Sequence, residues 1–181
     1  TSALVAGLGE LGEAAILNTY FKPYAVCRWA HAAVDAVLEL KHQHQLRVDE
    51  IETIDVETFW EVTRLANDQP SNTIAAQFSI QFALAVALLY DRIGPAEVSD
   101  AHIHDPAILS LARKVRVAVD DTLDRQFPAK TMARVTIRTR RGDFQTTVDY
   151  PRGNPENPLG QDELDHLLDI YASRAAFTAV D

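Results

Sequence analysis

The sequence predicts an α+β fold, with helices packed on one face of a mainly antiparallel sheet of about four strands. Three observations predict it. Several stretches alternate apolar and polar residues with the period of two that a half-buried strand requires. Two long stretches either keep helical spacing or are apolar throughout. A short glycine turn joins the last two strand-like stretches into a hairpin.

The elements follow in order along the 181 residues. Ser2 to Leu17 is rich in Ala and Leu, but Gly7, Gly9 and Gly12 weaken any helix there. Their GLGELG pattern has no strand before it, so it does not make a dinucleotide-binding turn. Pro23 forces Lys22 onto extended backbone just ahead of a helix. From Arg28 to His44, the residues Ala30, Ala33, Val34, Val37 and Leu38 keep helical spacing. A second stripe of Cys27, His31, Asp35 and Glu39, at steps of four, occupies one face of the same helix. Ile54, Val56 and Thr58 predict a strand over Glu50 to Phe59, and the polar run Asn67 to Asn72 predicts a loop. Thr73 to Tyr90 predicts one central buried helix, after which Gly94-Pro95 breaks the chain. Short helices are expected near Ala96 to Ala101 and Pro106 to Arg113. Val115, Val117 and Val119 then mark a strand, and Val135 to Thr139 pairs with Phe144 to Val148 across Arg140-Arg141-Gly142-Asp143. The proline-rich stretch Tyr150 to Leu159 is a loop, and Gly160 begins a final helix with the stripe Leu164, Leu167, Leu168 and Tyr171.

Bulk properties restrict the function. A net charge of −9 argues against nucleic acid and membrane surfaces as partners, since both attract a positive field. Cys27 is the single cysteine, so no intrachain disulfide forms and a reducing cytoplasm is expected. No apolar run reaches the roughly 20 residues of a membrane span, and Thr1 to Leu17 has no basic leader. His42 and His44 face different directions on a helix, and His102 and His104 lack a third ligand at metal-site spacing, so no metal is expected. The arginines 138, 140, 141 and 152 read as a solvated group around the hairpin, with Arg152 placed where it could close on an anion.

Three stretches in order resemble the C-terminal half of the MmgE/PrpD family, which includes methylcitrate dehydratase and cis-aconitate decarboxylase. They are FKPYAVCRWAHAAVDAVLEL from Phe21, AAQFSIQFALAVALL from Ala75, and VDYPRGNPENPLGQDEL from Val148. The resemblance implies an α+β domain of chorismate-mutase-like fold over residues 21–159, followed by a C-terminal helix over 160–181. Residues 1–20 would then be the remnant of, or link to, an all-helical domain. It also implies a cofactor-free lyase or isomerase, 2-methylcitrate dehydratase-like, working at the carbon next to a carboxylate of a small di- or tricarboxylate. Epimerases of iminodisuccinate type belong to the same comparison, and a homodimer is implied.

Such chemistry needs a base for a weakly acidic proton and cations to hold carboxylates. Lys22 and His31 match the family's lysine and helix histidine and are the expected acid–base groups. Asp35, one turn on, is expected to orient the imidazole of His31. Arg28, Cys27, Gln81 and Phe82 are the expected substrate contacts: Arg28 for a carboxylate, the other three as pocket wall. The alternative reading is a non-catalytic or split-enzyme domain that needs a separate helical half for activity.

Overall fold

The computed structural model describes the backbone of residues 19–175 and the side chains of residues 19–170. The expectations for residues 1–18 and for the side chain of Tyr171 lie outside the described residues. A four-stranded sheet has the order β2-β1-β3-β4, with β1 Ile51–Thr58, β2 Val115–Val119, β3 Ala133–Thr139 and β4 Gly142–Val148. β1 pairs antiparallel with β3 and parallel with β2, while β3 and β4 form an antiparallel hairpin. The fold is therefore α+β with a mainly antiparallel sheet.

Alternation decides which face is covered. Ile54, Val56, Val135 and Ile137 are buried on one face. The other carries Asp55, Glu57, Arg134 and Arg138, with Arg134 bridging Glu57 at 3.0 Å and Asp120 at 2.9 Å. Ile51 is also buried, although it is three positions from Ile54, because the register slips between Ile51 and Thr53 and the strand changes phase there. Two residues, Arg140 and Arg141, close the hairpin, and Gly142 takes φ +128°, a conformation that side chains disfavour. The arginines of this region are largely paired: Arg138 with Asp55 and Asp143, and Arg141 with Glu50 and the His44 carbonyl.

Helix α1, His31–His44, lies on the covered face against β3 and β4. A single 3-10 turn, Arg28–Ala30, leads into it. Its alanines 32, 33 and 36 are fully buried and let the sheet and the neighbouring helix approach closely.

The single helix expected over Thr73 to Tyr90 is two helices, α2 Thr73–Gln77 and α3 Ile80–Tyr90. Ser79 is the reason. It sits on extended backbone, its Oγ accepts the Phe82 amide at 3.0 Å, and its hydroxyl donates to the Asn67 carbonyl. That capping role competes with continuing the helix. α3 then runs alongside α1 in the same direction. Cys27 N–H donates to the Gln77 carbonyl at 2.7 Å near the two starts, and Lys41 donates to the Leu88 carbonyl at 2.7 Å near the two ends.

Short helices α4, Asp100–Ile103, and α5, Pro106–Ala112, complete the crossover from β1 to β2. Asp105 caps α5 through the Ala107 amide at 2.8 Å, with Pro106 in the first turn. A further turn of helix that the alternation does not reveal, α6 Asp121–Asp124, is capped by Asp120. The last helix, α7 Gln161–Ala175, starts at Gly160 as expected, with the Gly160 carbonyl accepting from the Glu163 and Leu164 amides. Leu168 of its apolar stripe remains exposed. No described helix is long and apolar enough to cross a membrane.

Replacing Ser79 by alanine removes the α3 cap and the bond to the half-buried Asn67 carbonyl, so stability should fall by about 1–2 kcal/mol. Urea unfolding of the variant checks this; an unchanged midpoint would mean that the break between α2 and α3 does not depend on the cap.

Candidate functional site

Residues 20–27 lead into the turn at Arg28 without helix or strand, Pro23 keeping Lys22 out of the helical region and the chain bending over Tyr24 to Val26. Lys22 is exposed on it and borders a cavity of 480 Å³ with Ala25, Thr73, Gln77 and Ser99. Tyr24 and Pro23 border a separate cleft of 1020 Å³ that reaches Asp35, Arg152 and α7. His31 lies beneath this segment with no exposed surface.

The environment of His31 defines its chemistry. Nε2 faces the Val26 carbonyl at 3.2 Å, so it carries the proton, and Nδ1 is left as a bare acceptor. Among the described residues Nδ1 is buried and has no hydrogen-bond partner. Burial above all, then the charge of Arg28, pushes the pKa down to about 3, against the pull of the Val26 carbonyl and a weaker one from the Tyr24 backbone; the nearby Lys22 charge adds to the lowering. The imidazole is therefore neutral near pH 7 and can accept a proton or a hydrogen bond at one nitrogen.

Arg28 is half-buried. Its Nη2 donates to Asn154 Oδ1, its guanidinium lies 4.7 Å from the centre of the Tyr20 ring, and Nη1 is buried with no hydrogen-bond partner among the described residues. Burial lowers its pKa from the usual value. Buried polar atoms are nearly always satisfied. Two unsatisfied atoms in neighbouring cationic and imidazole side chains are thus the distinctive feature of this region.

Asp35 does not orient His31. Its carboxylate instead accepts from the Tyr24 hydroxyl at 2.5 Å and from the Arg152 amide at 2.7 Å, while the Tyr24 ring stands edge-on to the imidazole at 5.0 Å. The tautomer is set by the Val26 carbonyl, which the 3-10 turn brings within reach before a carboxylate one turn along the helix can approach. Burial raises the Asp35 pKa, against the bonds from Tyr24 and Arg152. The guanidinium of Arg152 pairs with Glu163 on α7.

The remaining predicted residues lie apart from this cluster or at its margin. Cys27 is a half-buried free thiol packed against the core. The Gln81 carboxamide accepts the Asn67 amide at 2.7 Å, and Phe82 is wholly buried in α3. Of the histidine pairs, His42 bonds Asp91 at 2.9 Å and His102 meets Ser99 at 3.1 Å. Among the described residues no group of three or more His, Cys, Asp or Glu is placed to hold a metal ion. Tyr24 and Asn154 were missed by sequence reasoning. Tyr24 falls on the lead-in segment, where no periodicity marks a buried residue, and Asn154 is one of several polar residues in a loop.

A family model described as the MmgE/PrpD C-terminal domain matches residues 24–166. A cis-aconitate decarboxylase of Aspergillus terreus (strain NIH 2624 / FGSC A1156) is 26% identical over 175 residues, covering 90% of this chain and 35% of that protein. A second cis-aconitate decarboxylase of Aspergillus terreus is 25% identical over 175 residues, with the same coverage. The chain thus spans 35% of the length of the curated relatives it matches.

The depressed His31 pKa has a consequence for stability. The unfolded chain takes up a proton near pH 6.5, whereas the folded chain does not until about pH 3. Stability is therefore complete above pH 6.5 and declines as pH falls through that window, by up to about 1.4 kcal/mol per pH unit from this group. Urea unfolding between pH 7 and pH 5 should show an acid-side slope in the wild type that His31→Asn reduces. Parallel curves for the two proteins would mean that His31 is not buried neutral.

Proposed function

We infer the function from one premise: this chain belongs to the MmgE/PrpD family. The domain supplies part of the active site of a lyase or isomerase that works at the carbon next to a carboxylate of a small di- or tricarboxylate. The observation that carries this reading is the pair of unsatisfied buried atoms, His31 Nδ1 and Arg28 Nη1, close behind the exposed Lys22.

The roles follow from charge and burial. Arg28 donates to a substrate carboxylate and offsets charge that develops on it. His31, neutral, accepts a proton or a hydrogen bond from the substrate at Nδ1. Lys22, an exposed cation beside the cluster, transfers a proton at the reacting carbon or its leaving group. The fungal relatives are decarboxylases of cis-aconitate, and a tricarboxylate of that kind presents enough carboxylates to engage both cations. A 2-methylcitrate-like hydroxy acid would offer its hydroxyl to Nδ1 in the same place. No cofactor enters this scheme, since side chains supply both the base and the positive charge.

A reading in which the site is completed by a separate helical half is favoured by the apolar residues around Lys22. Tyr20, Phe21, Ile74 and Phe78 are all exposed, and Gln77, beside Phe78, borders the Lys22 cavity. A covering partner would remove them from water and exclude water from Lys22.

In the full-length protein, Lys22→Ala should lower turnover of cis-aconitate or 2-methylcitrate by about a hundredfold or more, with an unchanged melting temperature. Steady-state kinetics with both acids, beside a thermal melt, checks this. Equal activity in the variant removes Lys22 from the chemistry.

A further inference from the structure

Residues 150–157 form a strap that hydrogen-bonds outward from three consecutive positions, besides the pairing of the Arg152 guanidinium with Glu163 on α7. The Arg152 amide donates to Asp35 at 2.7 Å, the Gly153 carbonyl accepts from the Phe21 amide at 2.8 Å, and Asn154 Oδ1 accepts from Arg28. The strap is closed on itself: the Gly153 amide donates to the Asn157 carbonyl at 2.9 Å, and the Asn157 side chain donates to the Tyr150 carbonyl at 2.9 Å. It therefore moves as a piece, and whatever anchors Arg152 also sets Phe21 and Arg28. Phe21 immediately precedes Lys22.

We propose that Asp35 is a positioning residue: its carboxylate anchors this strap to α1, and through it sets where Lys22 and Arg28 stand around His31. The proposal rests on the reading of Lys22, Arg28 and His31 as the reactive cluster. Three observations carry it. Both Asp35 oxygens are engaged within the fold, one by the Tyr24 hydroxyl and one by the Arg152 amide. Both donors are neutral, a hydroxyl and a backbone amide, and buried carboxylates are costly enough that an apolar residue would serve better if packing alone were at stake. Third, Gly153 has φ +87°, and a Cβ there would lie 2.1 Å from the Phe21 carbonyl oxygen. The strap and the lead-in segment are thus in direct backbone contact, with no slack for a side chain between them.

Tyr24 completes the arrangement. Its hydroxyl occupies the second Asp35 oxygen, and its ring fixes one edge of the His31 imidazole. Asp35 accordingly holds all three reactive side chains: Lys22 through Phe21, Arg28 through Asn154, and His31 through Tyr24.

The test is hydrogen exchange by mass spectrometry on the full-length protein, read at the peptide containing the Phe21 amide, together with calorimetric titration of citrate. Asp35→Ala should raise exchange at that amide and weaken citrate, each by about tenfold, as expected for one lost anchoring bond. Asp35→Asn keeps a carbonyl for the Arg152 amide and an amide to donate to the Tyr24 hydroxyl, so both effects should stay within about threefold. Gly153→Ala displaces the Phe21 backbone directly and marks the exchange expected of a released strap, while Asp35→Leu, which fills the same space without accepting either bond, stands in should Asp35→Ala fail to fold.

Wild-type protection of the Phe21 amide in Asp35→Ala, or in Asp35→Leu where the alanine variant does not fold, would overturn the proposal. So would an Asp35→Asn protein that keeps that protection yet binds citrate as poorly as Asp35→Ala, because the charge itself would then be the contact. If the wild type does not bind citrate while the exchange pattern follows expectation, the reading of the cluster as a polycarboxylate site fails and the strap stands.

Discussion

Helix α1 carries an imidazole and a carboxylate one turn apart on a face that the fold must bury. The helix is wedged between β3, β4 and α3, and neither His31 nor Asp35 reaches water in appreciable measure. Burying a polar group without a partner costs on the order of 1–3 kcal/mol in proteins, and a charge costs more. Much of the local structure can be understood as meeting that demand. The 3-10 turn brings the Val26 carbonyl to Nε2, Tyr24 folds its hydroxyl onto Asp35, and the strap offers the Arg152 amide. What the fold leaves unmet is as informative as what it meets. Nδ1 of His31 and Nη1 of Arg28 are buried with no hydrogen-bond partner among the described residues.

The larger elements were legible in the sequence because their signals are local. Period-two alternation marks β1, β2 and the hairpin whatever the rest of the chain does, and Arg140-Arg141-Gly142 closes the hairpin with residues suited to it. The charged outer face of the sheet is visible in the same alternation. Thr73 to Tyr90 failed for a corresponding reason. Its composition is uniform enough to support one helix, and the break comes from Ser79 donating to Asn67, twelve positions back in sequence. A bond between separated residues leaves no periodic trace. The α6 turn was hidden by its shortness, although Asp120 ahead of it is an ordinary capping residue.

The candidate site divides along the same line. Lys22, Arg28 and His31 could be selected by residue type, by the proline that follows Lys22, and by family resemblance. The stripe of steps of four placed His31 and Asp35 on one face correctly. It could not show that the carboxylate turns to Tyr24 and Arg152, since Arg152 lies more than a hundred residues away in sequence. Gln81 and Phe82 illustrate the opposite case. A polar residue within an apolar helix suggests a pocket, yet the Gln81 carboxamide is bonded to the Asn67 amide.

The central claim is that His31 stands neutral, protonated on Nε2, with Nδ1 held open for a carboxylic acid substrate. Nitrogen NMR of histidine-labelled full-length protein near pH 7 reads both nitrogens of the ring directly. The account predicts a neutral ring with its proton on Nε2, and a shift confined mainly to Nδ1 when cis-aconitate is added. A ring protonated on Nδ1, or one whose nitrogens ignore saturating cis-aconitate, citrate and 2-methylcitrate, would contradict it.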